Sequence, residues 1–226
     1  MLGFNWIDTL PEHIRTEMLQ KAKISTILND HILYQEGDPI TSVFQIIDGQ
    51  IKKSIITESG QEILLYVYSE GELIADSAVV DQLPYPVTLT SRGTTKLRVW
   101  QAEDIHYFRH KYVQVEEAMI QQVNRRLRAT LQLVKEILTL PVSLRIASRV
   151  SQINGIKELY AQDTHLILSQ MDIGMMVGTT RQTVNKTLQQ MKTLGLIESH
   201  YGKIKITDKH KLEEFIQENL KDNDEI

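Results

Sequence analysis

The chain has 226 residues, a formal net charge of −4, and ordinary shares of hydrophobic (42%) and charged (24%) side chains. That length suggests two modest domains rather than one large one. The absence of cysteine excludes disulfides, thiolate zinc sites, cysteine-bound iron–sulfur clusters and cysteine nucleophiles. An acidic balance draws no nucleic acid to the molecule as a whole, so any such surface must be concentrated locally. From Ser169 to Lys205 there are five basic residues, Arg181, Lys186, Lys192, Lys203 and Lys205, against Asp172 and Glu198. The apolar runs are too short to span a bilayer, and the first ten residues lack the basic and apolar pattern of a secretory signal. The cytoplasm is the expected compartment, with no membrane partner.

In chain order, Leu2 to Ile27 reads as short helical turns, with Pro11 near a helix start. From Asn29 to Trp100 the texture changes to short β-branched or aromatic runs: Val43–Ile47, Ile51–Ile56, Ile63–Tyr68, Val87–Thr90 and Lys96–Trp100. Turn signals at Gly37, Asp48-Gly49, Ser59-Gly60, Glu70-Gly71 and Arg92-Gly93 separate them. Strands of this length and spacing predict a β-barrel or jelly roll.

From Glu103 to about Leu138 the period becomes helical. Ile120, Val123, Leu127, Thr130, Val134 and Ile137 alternate three and four apart, the seam of a helix that pairs with its own copy across a two-fold axis. Pro141 ends that helix. A helix to about Ile153 and a turn at Asn154-Gly155 follow, then two close helices flanking Gly178-Thr179-Thr180. Strands Leu196–Ser199 and Lys203–Thr207 meet at Tyr201-Gly202, and a last helix runs from Lys209 to about Leu220. The expected domains are 1–102, a β-barrel sensor; 103–140, a dimerisation helix; and 141–226, a winged helix-turn-helix. The fold class is α+β.

The informative stretch runs from Ser169 to Leu188. Ser169 is a good N-cap with Asp172 as its capping-box partner, and Gly178 suits a turn that needs positive φ. Thr180 caps a second helix that Val184, Leu188 and Met191 hold to a core. Its other face presents Arg181, Gln182, Asn185 and Lys186 at the helix start, where a recognition helix reads base edges in the major groove. Thr179, Thr180 and Thr183 are candidate phosphate contacts, Lys203 a wing contact, and Ser169 and Gln170 further candidate DNA-binding residues. The plainer reading is a solvated helix pair.

The whole chain resembles the catabolite-activator/FNR family of bacterial transcription regulators. Val177-Gly-Thr-Thr-Arg-Gln-Thr-Val184 is similar to the family's Val-Gly-Cys-Ser-Arg-Glu-Thr-Val, and Gln35-Glu-Gly-Asp-Pro39 and Ile47-Asp-Gly-Gln-Ile51 match its sensor barrel. The resemblance gives Arg181 and Lys186 base-reading positions and puts Gln182 in place of the usual Glu. It implies a homodimer on palindromic double-stranded DNA, with RNA polymerase and an unspecified small-molecule effector as further partners.

The effector pocket it implies comprises Gly71, Glu72, Leu73, Ala75, Asp76, Pro86, Val87, Thr130 and Leu131. Cyclic-nucleotide-binding members grip ribose and phosphate with a Gly-Glu and an Arg-Ser pair. Here those positions hold Ala75-Asp76 and Pro86-Val87, so the resemblance implies that cAMP binding is lost. His106 and His110 lack a third ligand, which argues against a metal. Arg125, Arg126 and Arg128 read as a solvated helix face, and Tyr66, Tyr68 and Tyr85 as packing residues of strands. No nucleophile–base arrangement points to an enzyme, and no cofactor is expected. The alternative is a sensor or protein-interaction module of the same fold with weak DNA binding.

Overall fold

The computed structural model describes residues 5–159, 169–200 and 203–221. It divides into two compact units, 1–129 and 130–226. The first contains a 3-10 turn (Trp6–Thr9), α1 (Glu12–Lys21), β1 (Lys23–Ile27), β2 (Ile32–Tyr34), β3 (Ser42–Ile56), β4 (Glu62–Tyr68), β5 (Leu73–Ile74), α2 (Ala78–Asp81), β6 (Thr88–Gln101) and α3 (Ala102–Lys111). Helix α4 (Val113–Thr139) begins in it and continues into the second unit, which adds α5 (Val142–Leu159), α6 (Gln170–Val177), α7 (Arg181–Thr193), β7 (Ile197–His200), β8 (Lys203–Ile206) and α8 (Lys209–Lys221). This is the α+β class, with the strands concentrated in the first unit.

All strand pairs are antiparallel, in the order β1-β6-β3-β4, with β2 on β6 and β5 on β3. The expected runs on either side of Asp48-Gly49 and of Arg92-Gly93 are not separate strands. They form the two long strands β3 and β6, paired through register shifts at Ile46/Asp48 and Asp48/Gln50. A bulge bends a strand without ending it. Gly49 and Gly93 supply positive φ at these bends, so the turn residues were read correctly and their consequence was not.

Three further expectations need correction. Lys23–Ile27 is a strand, not helix, because its β-branched residues pair with Thr95–Val99 of β6. The helical run from Glu103 is broken at Tyr112, whose backbone is extended (φ −130°, ψ 111°). Its hydroxyl donates to Glu17 of α1 at 2.5 Å, and Arg109 and Glu116 clasp the two sides of the break at 2.5 and 2.9 Å. Finally, Asn154-Gly155 does not turn the chain: α5 runs through it to Leu159. The Tyr201-Gly202 turn lies outside the described residues.

Two clusters fill the first unit. Trp6, Ile14, Met18, Val43, Trp100, Ile105, Phe108 and Val115 tie the helices to one end of the sheet, and the Trp100 indole donates to the Met18 carbonyl at 2.7 Å. Tyr34, Phe44, Ile51, Tyr68, Ile74, Tyr85, Leu89 and Leu97 fill the interior of the sheet. Beyond Val115, Ala118 and Met119, α4 carries exposed apolar residues: Ile120, Val123, Leu127, Leu131, Val134, Ile137 and Leu138.

Gly49 is the least replaceable bend. Its φ is +98°, and a Cβ there would stand 2.6 Å from Thr95 Oγ1 and 2.8 Å from the Thr94 carbonyl. Gly49→Ala combines backbone strain with a clash and is expected to cost on the order of 1–3 kcal/mol. A lowered urea midpoint at unchanged slope checks it; an unshifted midpoint contradicts the tight bend.

Candidate functional site

In the second unit, Ser169 opens α6 with a reciprocal capping box. Its Oγ accepts from Asp172 N at 3.1 Å, while its own N donates to Asp172 Oδ2 at 2.7 Å. Gly178 closes α6 in the left-handed region (φ 69°). Gly174 lets the turn return closely, since a Cβ there would lie 2.8 Å from the Thr179 carbonyl. Thr180 caps α7 by accepting from Thr183 N at 3.2 Å. Ile173, Val177, Val184, Leu188 and Met191 are buried between the helices, and α5 packs against α6, α7 and α8.

This leaves Arg181, Gln182, Asn185 and Lys186 exposed on one face of α7. Gln170 Nε2 donates to Asn185 Oδ1 at 3.3 Å, joining the start of α6 to that face. Thr180 and Thr183 share a hydroxyl hydrogen bond at 3.0 Å, and Thr179 is half-buried beside them. The sequence reading missed Gln189, exposed one turn beyond Asn185; the i+4 spacing was the available signal. Lys203 begins β8, whose register with β7 pairs Ile197 with Ile206 and His200 with Lys203.

The effector positions in the first unit are arranged differently from the expectation. Ala75 adopts φ 64°, a left-handed conformation at the place where the family resemblance puts glycine. Asp76 is buried, and both its oxygens are engaged: Oδ2 accepts from the Trp6 indole at 2.9 Å and Oδ1 from Arg126 Nη1 at 2.5 Å. Arg126 also donates to Ser77 Oγ and to the Leu73 carbonyl, at 3.1 and 3.0 Å. It is therefore not part of a solvated face. Burial works against its charge, but Asp76 more than compensates and its pKa is raised. No sequence spacing links Arg126 to a residue fifty positions earlier.

Gly71 and Glu72 form the turn before β5. Glu72, 2% exposed, accepts from the Tyr66 hydroxyl at 2.8 Å and from Ser69 N at 2.7 Å. Burial raises its pKa to about 7 against the pull of these bonds. Val87 and Leu73 are buried, whereas Pro86 is exposed. Thr130 and Leu131 are exposed on α4 and belong to the second unit. His110 Nδ1 lies 2.7 Å from the His106 carbonyl, within their own helix. Among the described residues no group of three His, Asp or Glu could hold a metal ion. No helix among them is long and apolar enough to cross a membrane.

Two family models match the chain in the order of its two units. Residues 26–112 match the cyclic nucleotide-binding domain, and residues 144–215 the Crp-like helix-turn-helix domain. The chain belongs to the CRP/FNR family. Curated relatives agree with this. A CRP-like cAMP-activated global transcriptional regulator of Mycobacterium tuberculosis is 25% identical over 187 residues, 80% of this chain and 83% of that one. The transcriptional activator protein anr of Pseudomonas aeruginosa is 25% identical over 179 residues, 78% and 73% of the two chains. The fold is that of FixK2 from Bradyrhizobium japonicum, with a TM-score of 0.74 at 19% identity over 85% of this chain and 96% of that one. This CRP/FNR chain is thus a transcription regulator with a DNA-binding helix-turn-helix, and its relatives are regulators rather than enzymes.

The environment of Glu72 sets a pH dependence. Its folded pKa of about 7 stands above the ordinary 4.5. Between these values an unfolded chain has released the proton that the folded chain keeps, so this residue makes stability fall as pH rises. The fall integrates to roughly 3 kcal/mol and ends near neutrality. Glu72→Gln should gain on the parent between about pH 5 and about pH 8 in urea unfolding. A constant difference across that range would show that Glu72 is ionised throughout.

Proposed function

We propose that the protein acts as a homodimer that reads a palindromic DNA operator through α7, without needing a cyclic nucleotide. The observation that carries the reading is the exposed face of Arg181, Gln182, Asn185 and Lys186 at the N-terminal end of a helix whose other face is buried. Arg offers a bidentate contact to guanine, Gln and Asn to adenine, and Lys to guanine or phosphate. Ser169, Gln170, Thr179, Thr180 and Thr183 take phosphate contacts around it, with Lys203 on the wing. The functional divisions follow, with the expected bounds 1–102, 103–140 and 141–226 adjusted at the Tyr112 break: a sensor that includes α3, a dimerisation helix α4 (Val113–Thr139) and a DNA-binding domain over 141–226.

Dimer formation is supported by the stripe on α4. Ile120, Val123, Leu127, Val134 and Ile137 are 44–54% exposed in one chain, at the spacing of a coiled-coil seam. Two copies related by a two-fold axis would place two α7 helices about 34 Å apart, one turn of DNA.

Cyclic-nucleotide independence is supported by Asp76, whose oxygens serve Arg126 and Trp6 rather than a ribose. Pro86 offers neither charge nor backbone N–H to a phosphate, and Val87 is apolar. Calorimetry with cAMP or cGMP is expected to be flat, and operator binding to need neither; a micromolar isotherm, or DNA retention that requires cAMP, overturns this part.

Leu127→Glu should bury a charge against its own copy, at a cost of several kcal/mol or more, roughly. Monomers in analytical ultracentrifugation and lost operator binding are expected. A variant that sediments as a dimer would place the seam elsewhere.

Site selection from random DNA tests the reading face. Arg181→Ala should cost about 1–3 kcal/mol and relax preference at one base pair. Lys203→Ala should weaken all sequences alike and flatten the salt dependence. Equal losses on specific and random DNA in both variants would contradict the assignment.

A further inference from the structure

Side chains join the start of α6 to the exposed face of α7, and the join bears on what α7 can read. Ser169 and Asp172 hold each other's backbone N–H groups, which fixes the backbone at Gln170, the first residue of α6. On α7, Val184 and Leu188 are buried; they set the roll of the helix and leave Asn185 exposed on the other side. Helix α6 packs on α7. Across that contact Gln170 Nε2 donates to Asn185 Oδ1 at 3.3 Å.

A side-chain amide has two unlike halves, an oxygen that accepts and a nitrogen that donates. Turning it over exchanges them with little change of shape, so an exposed Asn has no preference of its own. Here the Gln170 N–H makes the choice. It holds Oδ1 on the side of α6 and uses one of its two lone pairs. The other lone pair and both Nδ2 hydrogens remain. Adenine asks for that set in the major groove, an acceptor for its N6–H and a donor for its N7. Guanine presents two acceptors there, thymine one acceptor and a methyl group, and cytosine one donor.

The same nitrogen reaches the DNA backbone. Gln170 Nε2 carries two hydrogens, of which Asn185 takes one. The second serves the phosphate contact assigned to Gln170 above. With a phosphate oxygen on one side and Asn185 Oδ1 on the other, turning the Gln170 amide over would set its own oxygen against two acceptors.

We propose that Gln170 is a positioning residue for base reading: by bridging a phosphate and Asn185 Oδ1, it holds the Asn185 amide in the orientation that recognises adenine. This deepens the proposed reading of DNA through α7 and rests on it.

The test is site selection from random duplexes with the full-length protein. It compares the parent with Gln170→Met, Gln170→Arg, Asn185→Ala and the double variant of Gln170→Met with Asn185→Ala. The parent should prefer adenine at one base pair of each half-site. Asn185→Ala removes the contact outright and should reduce that preference about tenfold or more. Gln170→Met, close in length and shape, should reduce it several-fold and leave preferences at the other base pairs unchanged. Gln170→Arg keeps N–H donors at the same place and should restore it. Once Asn185 is Ala, Gln170→Met should change nothing further at that base pair, because its effect passes through Asn185.

An even loss on all sequences in Gln170→Met would make Gln170 a phosphate contact alone and overturn the proposal. A preference in the parent for any base other than adenine opposite Asn185 overturns it too. In the free protein, nuclear Overhauser contacts should link the two side-chain amides. Their absence overturns the proposal without touching the reading of DNA. Their presence in a parent that selects no sequence overturns the reading of DNA through α7, and the proposal with it.

Discussion

Asp76 and Arg126 meet in a place where neither charge could stand alone. Asp76 has a side chain only 2% exposed, and Arg126, at 21%, lies against it. Removing one member of such a buried pair costs about 3–5 kcal/mol, because the other is left uncompensated. The exposed Lys111–Glu17 pair at 2.7 Å is the useful contrast: water and salt screen a pair of that kind, and it contributes little. Through Asp76 the Trp6 turn, the segment after β5 and the middle of α4 share one set of hydrogen bonds. That set fastens these three segments to one another. The backbone at Ala75, held left-handed without being glycine, sits directly beside it.

The clamp also explains why the family resemblance reads so differently in the two units. In the second unit every device is local. Ser169 caps with Asp172, Thr180 with Thr183, and Gly178 turns the chain between them. Each spans three or four residues, a distance at which sequence spacing carries geometry. The exposed face of α7 was legible for the same reason: the period of 3.6 assigns Val184, Leu188 and Met191 to one side and Arg181, Asn185 and Lys186 to the other.

In the first unit the decisive contacts are distant in sequence. Arg126 lies 50 residues from Asp76, and Trp6 lies 70. Composition made Arg126 look like one of three solvated arginines, and only the fold shows that it turns inward. The glycine bends were legible as residues but not as bulges, because Gly49 looks the same whether a strand ends there or bends. Lys23–Ile27 was misread because five β-branched and polar residues after a helix carry little period of their own. Their strand identity comes from the pairing edge that β6 supplies.

Helix α4 has one more property, visible when Arg126 and Leu127 are considered together. Adjacent residues of an α-helix point about 100° apart. Arg126 is fastened to Asp76, and Leu127, its neighbour, stands exposed with Val123 and Ile120. The salt bridge therefore acts as a set-screw on the rotational phase of the helix. It decides which direction the apolar stripe faces, and a turn of α4 by even one residue's angle would have to pull the guanidinium off the carboxylate. A contact inside one chain thus dictates the heading of a surface that the chain itself leaves about half exposed.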